Sequence, residues 1–324
     1  MQSCAWWRRC WIVRCLCWLV EMGGERLEWL SAEKQNRLVC EETDAFCLAA
    51  GDGLWIERFG PAVLISSERA CDEVCLAEEV FLRANNSPHG VPRAVYLRRL
   101  VKVPGCSDRP RLIAGGLEGD CCVARENGLA FKVDFSGGYH VGLFPDQRSN
   151  RKFLKDLRPK KLLNLFAFTC AFSVAVASVG GRTLSVDVSR RSLAIGRANF
   201  LLNGLSLEGQ RMVADDVRDV LPRLVRRGEK YDAIVIDPPT FARVRRGRIF
   251  RVKEELEGLI QIAMACAESG GWIIVSTNCS TIGLGYLKKL AGKLVPSGSR
   301  VEAVEPPHDY RAGGAARVVR IQMP

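Results

Sequence analysis

The sequence predicts an α/β chain built on a mostly parallel sheet covered on both faces, and three features carry that expectation. From residue 161 onward, apolar runs of strand length alternate with helical stretches, the links are short, and polar or acidic residues follow one strand after another. Leu162 to Phe166 is short and apolar, as a strand buried on both faces requires. Ala171 to Val179 holds small and β-branched residues without a breaker until Gly180-Gly181, and Arg182 to Val188 supplies the next strand. That strand carries Asp187 about 20 residues beyond the first loop, where nucleotide-binding α/β units place a carboxylate for ribose hydroxyls.

The rhythm then continues. Helix Ser189 to Asn203, strand Gln210 to Ala214, helix Val217 to Arg227, strand Tyr231 to Ile236, helix Lys253 to Ala267, strand Gly271 to Ser276 and helix Leu284 to Leu294 succeed each other. Arg300 to Glu305 and Arg317 to Gln322 are two further strands that can pair antiparallel. Upstream, Gly53 to Gly60 and Ala62 to Ile65 read as a hairpin turning at Gly60-Pro61, and Ser67 to Ala84 reads as a helix. Val95 to Val103 is a basic strand facing either RNA or water. Glu126 to Arg151 reads as two alternating strands around Ser136-Gly137-Gly138, followed by an arginine-bearing exit. The expected organisation is a leader at 1–21 outside the working protein, with translation beginning at Met22, a small α+β region at 22–125, a hairpin and linker at 126–152, and the sheet domain at 153–324.

The 324 residues suffice for two modest domains, and 48% hydrophobic with 26% charged residues is the balance of a soluble globular protein. A net charge of +11 agrees with a polyanionic partner or simply with solubility. None of the fourteen cysteines forms a C-x-x-C pair and the histidines are only His89, His140 and His308, so neither a disulfide scaffold nor a structural metal is expected. Reduced thiols in a cytoplasmic protein are the expectation. The segment before Met22 has an apolar run broken by Arg14, too short to cross a membrane.

Ligands of such sheets bind beyond the carboxyl ends of the strands. There the sequence delivers the loop Phe166 to Ser173, Asp187, Asp215-Asp216, Asp237-Pro-Pro-Thr-Phe241 and Ser276-Thr-Asn-Cys-Ser280. The first loop contains no glycine, whereas a backbone that must approach a pyrophosphate closely needs one. A ligand with a ribose and adenine but no phosphate relaxes that demand, and S-adenosylmethionine is such a ligand. Taken singly, Asp187 or Asp216 is equally a helix cap. Two prolines after Asp237 stiffen the chain and leave its carbonyls as acceptors, so the loop holds a planar base by edge and face, or is merely a rigid turn. Arg243 to Lys253 sets five arginines and a lysine directly after Phe241, a solvated run or a phosphate-binding one.

The segments LLNLFAFTCAFSVAVA, LSVDVS, VADDV, IVIDPPTF and VSTNCS resemble the class I S-adenosylmethionine-dependent methyltransferases. With GLFPDQRSNRKF and PPHDYRAGGAARVVRI, the chain is similar, more narrowly, to the bacterial 23S ribosomal RNA cytosine-5 methyltransferases that carry an N-terminal PUA domain. The resemblance covers Glu126 to the end; upstream only Asp44 to Ile65 resembles part of a PUA domain. It implies a Rossmann-like class I methyltransferase sheet behind a small, β-rich N-terminal region. It also implies S-adenosylmethionine as cofactor, held by Phe168, Thr169, Asp187, Asp216 and Asp237, and RNA as partner, with Arg148 and Arg151 lining the cofactor and substrate side; in the basic run itself Phe241, Arg245, Arg246 and Arg248 are the candidate RNA contacts. Cys279 and Asp237 are the implied catalytic pair, the thiol adding to carbon 6 of cytosine. Cys170 stands where the family often has glycine. Methylation of an RNA base nitrogen, which needs no thiol, and a non-catalytic RNA-binding role on the same fold remain the alternatives.

Overall fold

The computed structural model describes residues 27–51, 53–101, 109–243, 247–310 and 314–324. The expected leader and Met22 lie outside the described residues. Two compact units form, one from the residues up to Cys40, Asp44–Cys122 and Asp134–Val141, the other from Glu41–Thr43, Val123–Val133 and Gly142–Pro324.

In the first unit, β1 (Glu28–Trp29), β2 (Ala45–Gly51), β3 (Leu54–Phe59), β4 (Ala62–Ser67), β5 (Ala94–Arg99) and β6 (Arg111–Gly115) lie side by side in chain order. Only β4 and β5 run parallel. Helices α1 (Ala32–Cys40) and α2 (Glu73–Ala84) bury Leu38, Leu76 and Val80 against Phe46, Ile56, Ile65 and Val95. Helix α2 starts later than the sequence suggests because β4 runs on to Ser67 and Asp72 caps the helix, accepting from Val74 N and Cys75 N at 3.1 Å each. The basic strand is β5, and its arginine serves the fold. The Arg98 guanidinium lies 4.6 Å from the Tyr139 ring centre and donates to Ser66 Oγ at 2.7 Å and the Tyr139 carbonyl at 2.8 Å.

The hairpin is displaced from its expected position. Strands β7 (Cys121–Glu126) and β8 (Leu129–Asp134) turn at Asn127-Gly128, whose φ values of 49° and 77° are those of a two-residue hairpin loop. No strand follows Ser136-Gly137-Gly138; a 3-10 turn begins at Pro145 and leads into helix α3 (Arg148–Leu157). The expected linker is therefore an ordered helix of the second unit. Its arginines turn inward. Arg151 Nε and Nη2 donate to the two Glu126 carboxylate oxygens at 2.6 Å each, and Nη2 also reaches the Phe144 carbonyl at 2.7 Å. Arg148 is likewise buried in an ion pair with Asp309.

The second unit is built on a seven-stranded sheet: β9 (Lys161–Leu165), β10 (Arg182–Asp187), β11 (Gln210–Ala214), β12 (Tyr231–Ile236), β15 (Ala267–Thr277), β16 (Arg300–Val304) and β17 (Arg317–Gln322). Their order is β11-β10-β9-β12-β15-β17-β16, the first five strands parallel and β17 antiparallel to both neighbours. The chain leaves β9 outward to β10 and β11 and then returns to β12 on its other side. That reversal is the switch point where such sheets open a crevice. Helices α6 (Val217–Arg226), α7 (Val252–Met264) and α8 (Leu284–Leu294) pack on one face through Leu221, Ile260 and Leu287. On the other face Leu154 of α3 and Phe172 and Val176 of α4 (Ala171–Ala177) meet Leu162, Val235 and Ile274. Helix α5 (Arg190–Leu202) follows β10, and a small ribbon of β13 (Phe241–Arg243) and β14 (Ile249–Arg251) grows from the loop after β12.

Because Arg151 and Glu126 are each no more than 3% exposed, breaking the pair leaves a buried uncompensated charge. Glu126→Gln should lower the unfolding free energy by about 3 kcal/mol or more, read from urea denaturation.

Candidate active site

The loop after β9 contains no glycine yet takes left-handed backbone at every second residue: φ is 59° at Phe166, 47° at Phe168 and 61° at Cys170. Each such residue costs on the order of 1 kcal/mol, so the surroundings must hold the loop. Asp187, at the end of β10, accepts Phe168 N and Ser189 N on its two oxygens at 2.8 Å each and fastens the loop to the neighbouring strand. Ala167 N donates to the Val186 carbonyl at 2.9 Å, and Asn199 Nδ2 of α5 donates to the Thr169 carbonyl at 3.0 Å. Thr169 is buried and its hydroxyl donates to the Gly142 carbonyl at 2.5 Å. Beneath the loop Asn164, Ser173 and Ser185 form a buried hydrogen-bonded chain between β9, α4 and β10. Burial pushes the Cys170 thiol up to about 12, so it is a packing group. Gly196 of α5 approaches it so closely that an added Cβ would stand 2.5 Å from Cys170 Sγ.

Asp216 follows β11 and caps α6, accepting Arg218 N at 3.0 Å. Burial works to raise its carboxyl, but the bonds and charge of the Arg218 side chain prevail and hold it below the usual range. The half-buried Asp237 ends β12 and accepts the Ser276 hydroxyl at 2.5 Å. Burial lifts its carboxyl to about 6; the Ser276 bond opposes the rise and the neighbouring charge of Asp146 adds to it. Asp146, from the 3-10 turn before α3, accepts Ala316 N at 2.9 Å and is itself raised by burial. The rim therefore collects carboxylates from four segments.

Cys279 follows β15 and is 4% exposed. Its Sγ lies 3.1 Å from Thr281 Oγ1, its amide donates to Thr277 Oγ1 at 3.1 Å, and its carbonyl accepts Ile282 N at 2.9 Å. Burial would raise the thiol, but hydrogen bonds from the Thr281 hydroxyl and amide, with the Lys253 charge from the start of α7, outweigh it and lower the thiol below its usual value. Cys71, Cys122, Cys170 and Cys266 all shift the other way, driven by burial. Cys279 packs with the cluster on the α6-α7-α8 face, whereas the charged neighbours of Asp237 are Asp146 and Arg151.

A profile of the S-adenosylmethionine-dependent methyltransferases matches residues 110–322, about two thirds of the chain. The chain belongs to that family. S-adenosylmethionine is accordingly the cofactor of this methyltransferase. The chain is 30% identical to Ribosomal RNA large subunit methyltransferase I of Escherichia coli O139:H28 (strain E24377A / ETEC), over 86% of this chain and 70% of that protein. It is 36% identical to YwbD of Bacillus subtilis (strain 168), named provisionally as a ribosomal RNA large subunit methyltransferase, over 51% of this chain and only 42% of that protein. The crystal structure of SMU.776 complexed with SAH superposes with a TM-score of 0.77 at 27% identity, covering 90% of this chain and 78% of that one. Matches of 86% and 90% reach well upstream of residue 110, so the likeness extends into the N-terminal unit, where the sequence alone shows little.

The residues of the rim suit this cofactor. Asp237 and Asp146 are carboxylates of the kind that attract a sulfonium cation, Asp187 keeps acceptor capacity for a diol, and Asp216 is already paired with Arg218. Phe168 is half-buried and its ring centre lies 5.4 Å from that of Phe144. The Thr169 hydroxyl is turned to the Gly142 carbonyl and its own carbonyl accepts from Asn199. Arg148 and Arg151 are buried in ion pairs with Asp309 and Glu126, and Arg151 is also a charged neighbour of Asp237. Phe241 is exposed, with the Arg251 guanidinium 5.5 Å from its ring centre, and Arg248 is exposed and paired with Asp219 at 2.8 Å. Arg245 and Arg246 lie outside the described residues. Thr281 carried no sequence signal of its own, whereas Ser276, Lys253 and Asp146 lay in the segments singled out by sequence without their contacts to Asp237 and the thiol being legible. Among the described residues no group of His, Cys, Asp and Glu is arranged to hold a metal, and no helix is long and apolar enough to cross a membrane.

Gly196→Ala should destabilise the fold by about 1 to 3 kcal/mol through the clash with Cys170, and Cys170→Gly in that background should recover most of the loss in urea unfolding. Asp237 behaves in the opposite sense to a paired carboxylate. Between its usual 3.8 and about 6, the folded state keeps a proton that the unfolded chain releases, so stability falls as pH rises through that window. Asp237→Asn should abolish most of this fall and unfold at higher urea than the parent at pH 7, by on the order of 2 kcal/mol.

Proposed function

We propose that this methyltransferase acts on large-subunit ribosomal RNA and methylates carbon 5 of a cytosine, with Cys279 as nucleophile. The observation that carries this reading is the environment of Cys279, whose thiol is lowered by Thr281 and Lys253 while the other burial-shifted thiols rise. Carbon 5 of cytosine is a poor nucleophile. Addition of the Cys279 thiolate to carbon 6 makes carbon 5 enamine-like, carbon 5 takes the methyl group, and a base removes the proton from carbon 5. The carbon 6–sulfur bond then breaks, restoring the ring double bond and the thiolate. The cofactor supplies the methyl group. Asp237, mostly ionised at neutral pH, hydrogen-bonds the base edge, and the Pro238-Pro239 turn keeps it in place. The basic ribbon with exposed Phe241 and Arg248 suits phosphate contact and base stacking, and the substrates named for the relatives agree with it.

Labelled methyl transfer to unmodified ribosomal RNA, with the product nucleoside identified by mass spectrometry, tests this directly. Cys279→Ala should reduce transfer at least about a thousandfold, and 5-methylcytidine should be the product of the parent. Full activity in that variant would transfer the assignment to a base nitrogen. The parent rate should rise with pH to a plateau that begins below the range of an ordinary thiol, because Thr281 and Lys253 favour the thiolate. Thr281→Val should move that plateau to higher pH.

A further inference from the structure

One side chain in this unit joins three segments that the reaction has to align. Arg218, second residue of α6, donates from Nε to Asp216 Oδ1 at 3.0 Å and from Nη2 to Asp216 Oδ2 at 2.7 Å, a two-pronged grip on the carboxylate at the end of β11. Its Nη1 points elsewhere. It donates to the Ile249 carbonyl in β14 at 3.1 Å and to Glu255 Oε1 in α7 at 2.6 Å. The guanidinium carbon lies 5.8 Å from the ring centre of Phe250, the buried residue of the same strand, and that ring stands 5.2 Å from Phe166 in the first loop. The arginine and Asp216 side chains are 15% and 13% exposed, so solvent screens their contact little. The planar fork is the feature that allows one residue to serve both directions; a lysine has a single ammonium and cannot hold both partners in fixed directions.

We propose that Arg218 is a positioning residue that ties the cofactor-side carboxylate Asp216 to the substrate-side ribbon, so that cofactor and RNA are bound by one connected unit. The inference rests on the proposed function, in which the β13-β14 ribbon meets RNA, and on the sequence-based expectation that Asp216 stands beside the cofactor. Arg218 touches neither ligand. It fixes the carboxylate orientation on one side and anchors the backbone that carries Phe241 and Arg251 on the other. Arg248 adds a second strap across the same gap, reaching Asp219 at 2.8 Å and standing 3.9 Å from Asp216.

The test uses the full chain and measures S-adenosylmethionine affinity by titration calorimetry, affinity for an unmodified large-subunit ribosomal RNA transcript by filter binding, and melting temperature, for the parent, R218M, R218K, E255Q and D216N. R218M should weaken both affinities roughly tenfold, the effect of losing a charge-assisted hydrogen bond on each side, with kcat at saturation changed much less than either KM. R218K should restore the cofactor side to within about threefold, since an ammonium still pairs with Asp216, but not the RNA side. E255Q, which leaves the Asp216 grip intact, should weaken RNA binding alone, and it decides the matter if R218M does not fold. Cofactor affinity surviving in R218M, or RNA affinity surviving in both R218M and E255Q, overturns the proposal, as does a change that only follows the melting temperature. If D216N leaves cofactor affinity untouched, the cofactor reading of Asp216 fails with it. If D216N weakens cofactor binding while R218M does not, the positioning role alone is lost.

Discussion

The carboxylate of Asp187 is the fastening on which the site depends. A loop that turns left-handed at Phe166, Phe168 and Cys170 without a glycine is intrinsically unfavourable, and the two amide hydrogen bonds to Asp187 hold it against the neighbouring strand. Around that fastening the rest is arranged in layers. Asn199 secures the Thr169 carbonyl, Thr169 secures Gly142, and the buried Asn164-Ser173-Ser185 chain fixes the base of the loop. The left-handed backbone is thereby confined to a few residues at the rim, and the pairing of β9 with β10 beneath remains regular.

A second constraint is electrostatic. Acidic groups converge at one end of the sheet, while the arginines of α3 are neutralised in the interior by Glu126 and Asp309. The result is a division of labour by sign. Carboxylates end the parallel strands, Asp216 with Arg218 as its partner, and exposed cations stand on the ribbon and at Lys253. Lys253 links the basic run to the site, as it stands at the edge of that run and acts on the Cys279 thiol.

The central strands and their order of polar endings were legible from apolar runs and turn residues, because strands buried on both faces have no other composition open to them. Helix α3 was not legible. Its sequence RSNRKFLKDL reads as solvated linker until Glu126 and Asp309 supply partners from 25 and 161 residues away. The hairpin turns at Asn127-Gly128 and not at Gly137-Gly138 because Asn-Gly suits a two-residue hairpin loop, the stronger of the two turn signals. Cys279 could be singled out by position after a strand, but its activation could not, since Lys253 comes from another helix. Asp216 illustrates the converse: the same residue caps α6 and sits on the rim, so capping and site were never exclusive readings.

The placement of β17 has a consequence for how the chain must be made. Of the seven strands in the sheet it is the last in sequence, yet it lies inside, hydrogen-bonded to β15 on one side and β16 on the other. During vectorial synthesis the five parallel strands can gather early, but β16 has no seat until its successor emerges from the ribosome. Through that interval the outer edge of β15 stands open to pairing with any other extended chain, so the nascent protein is exposed to mispairing at the moment it is nearest to other growing chains.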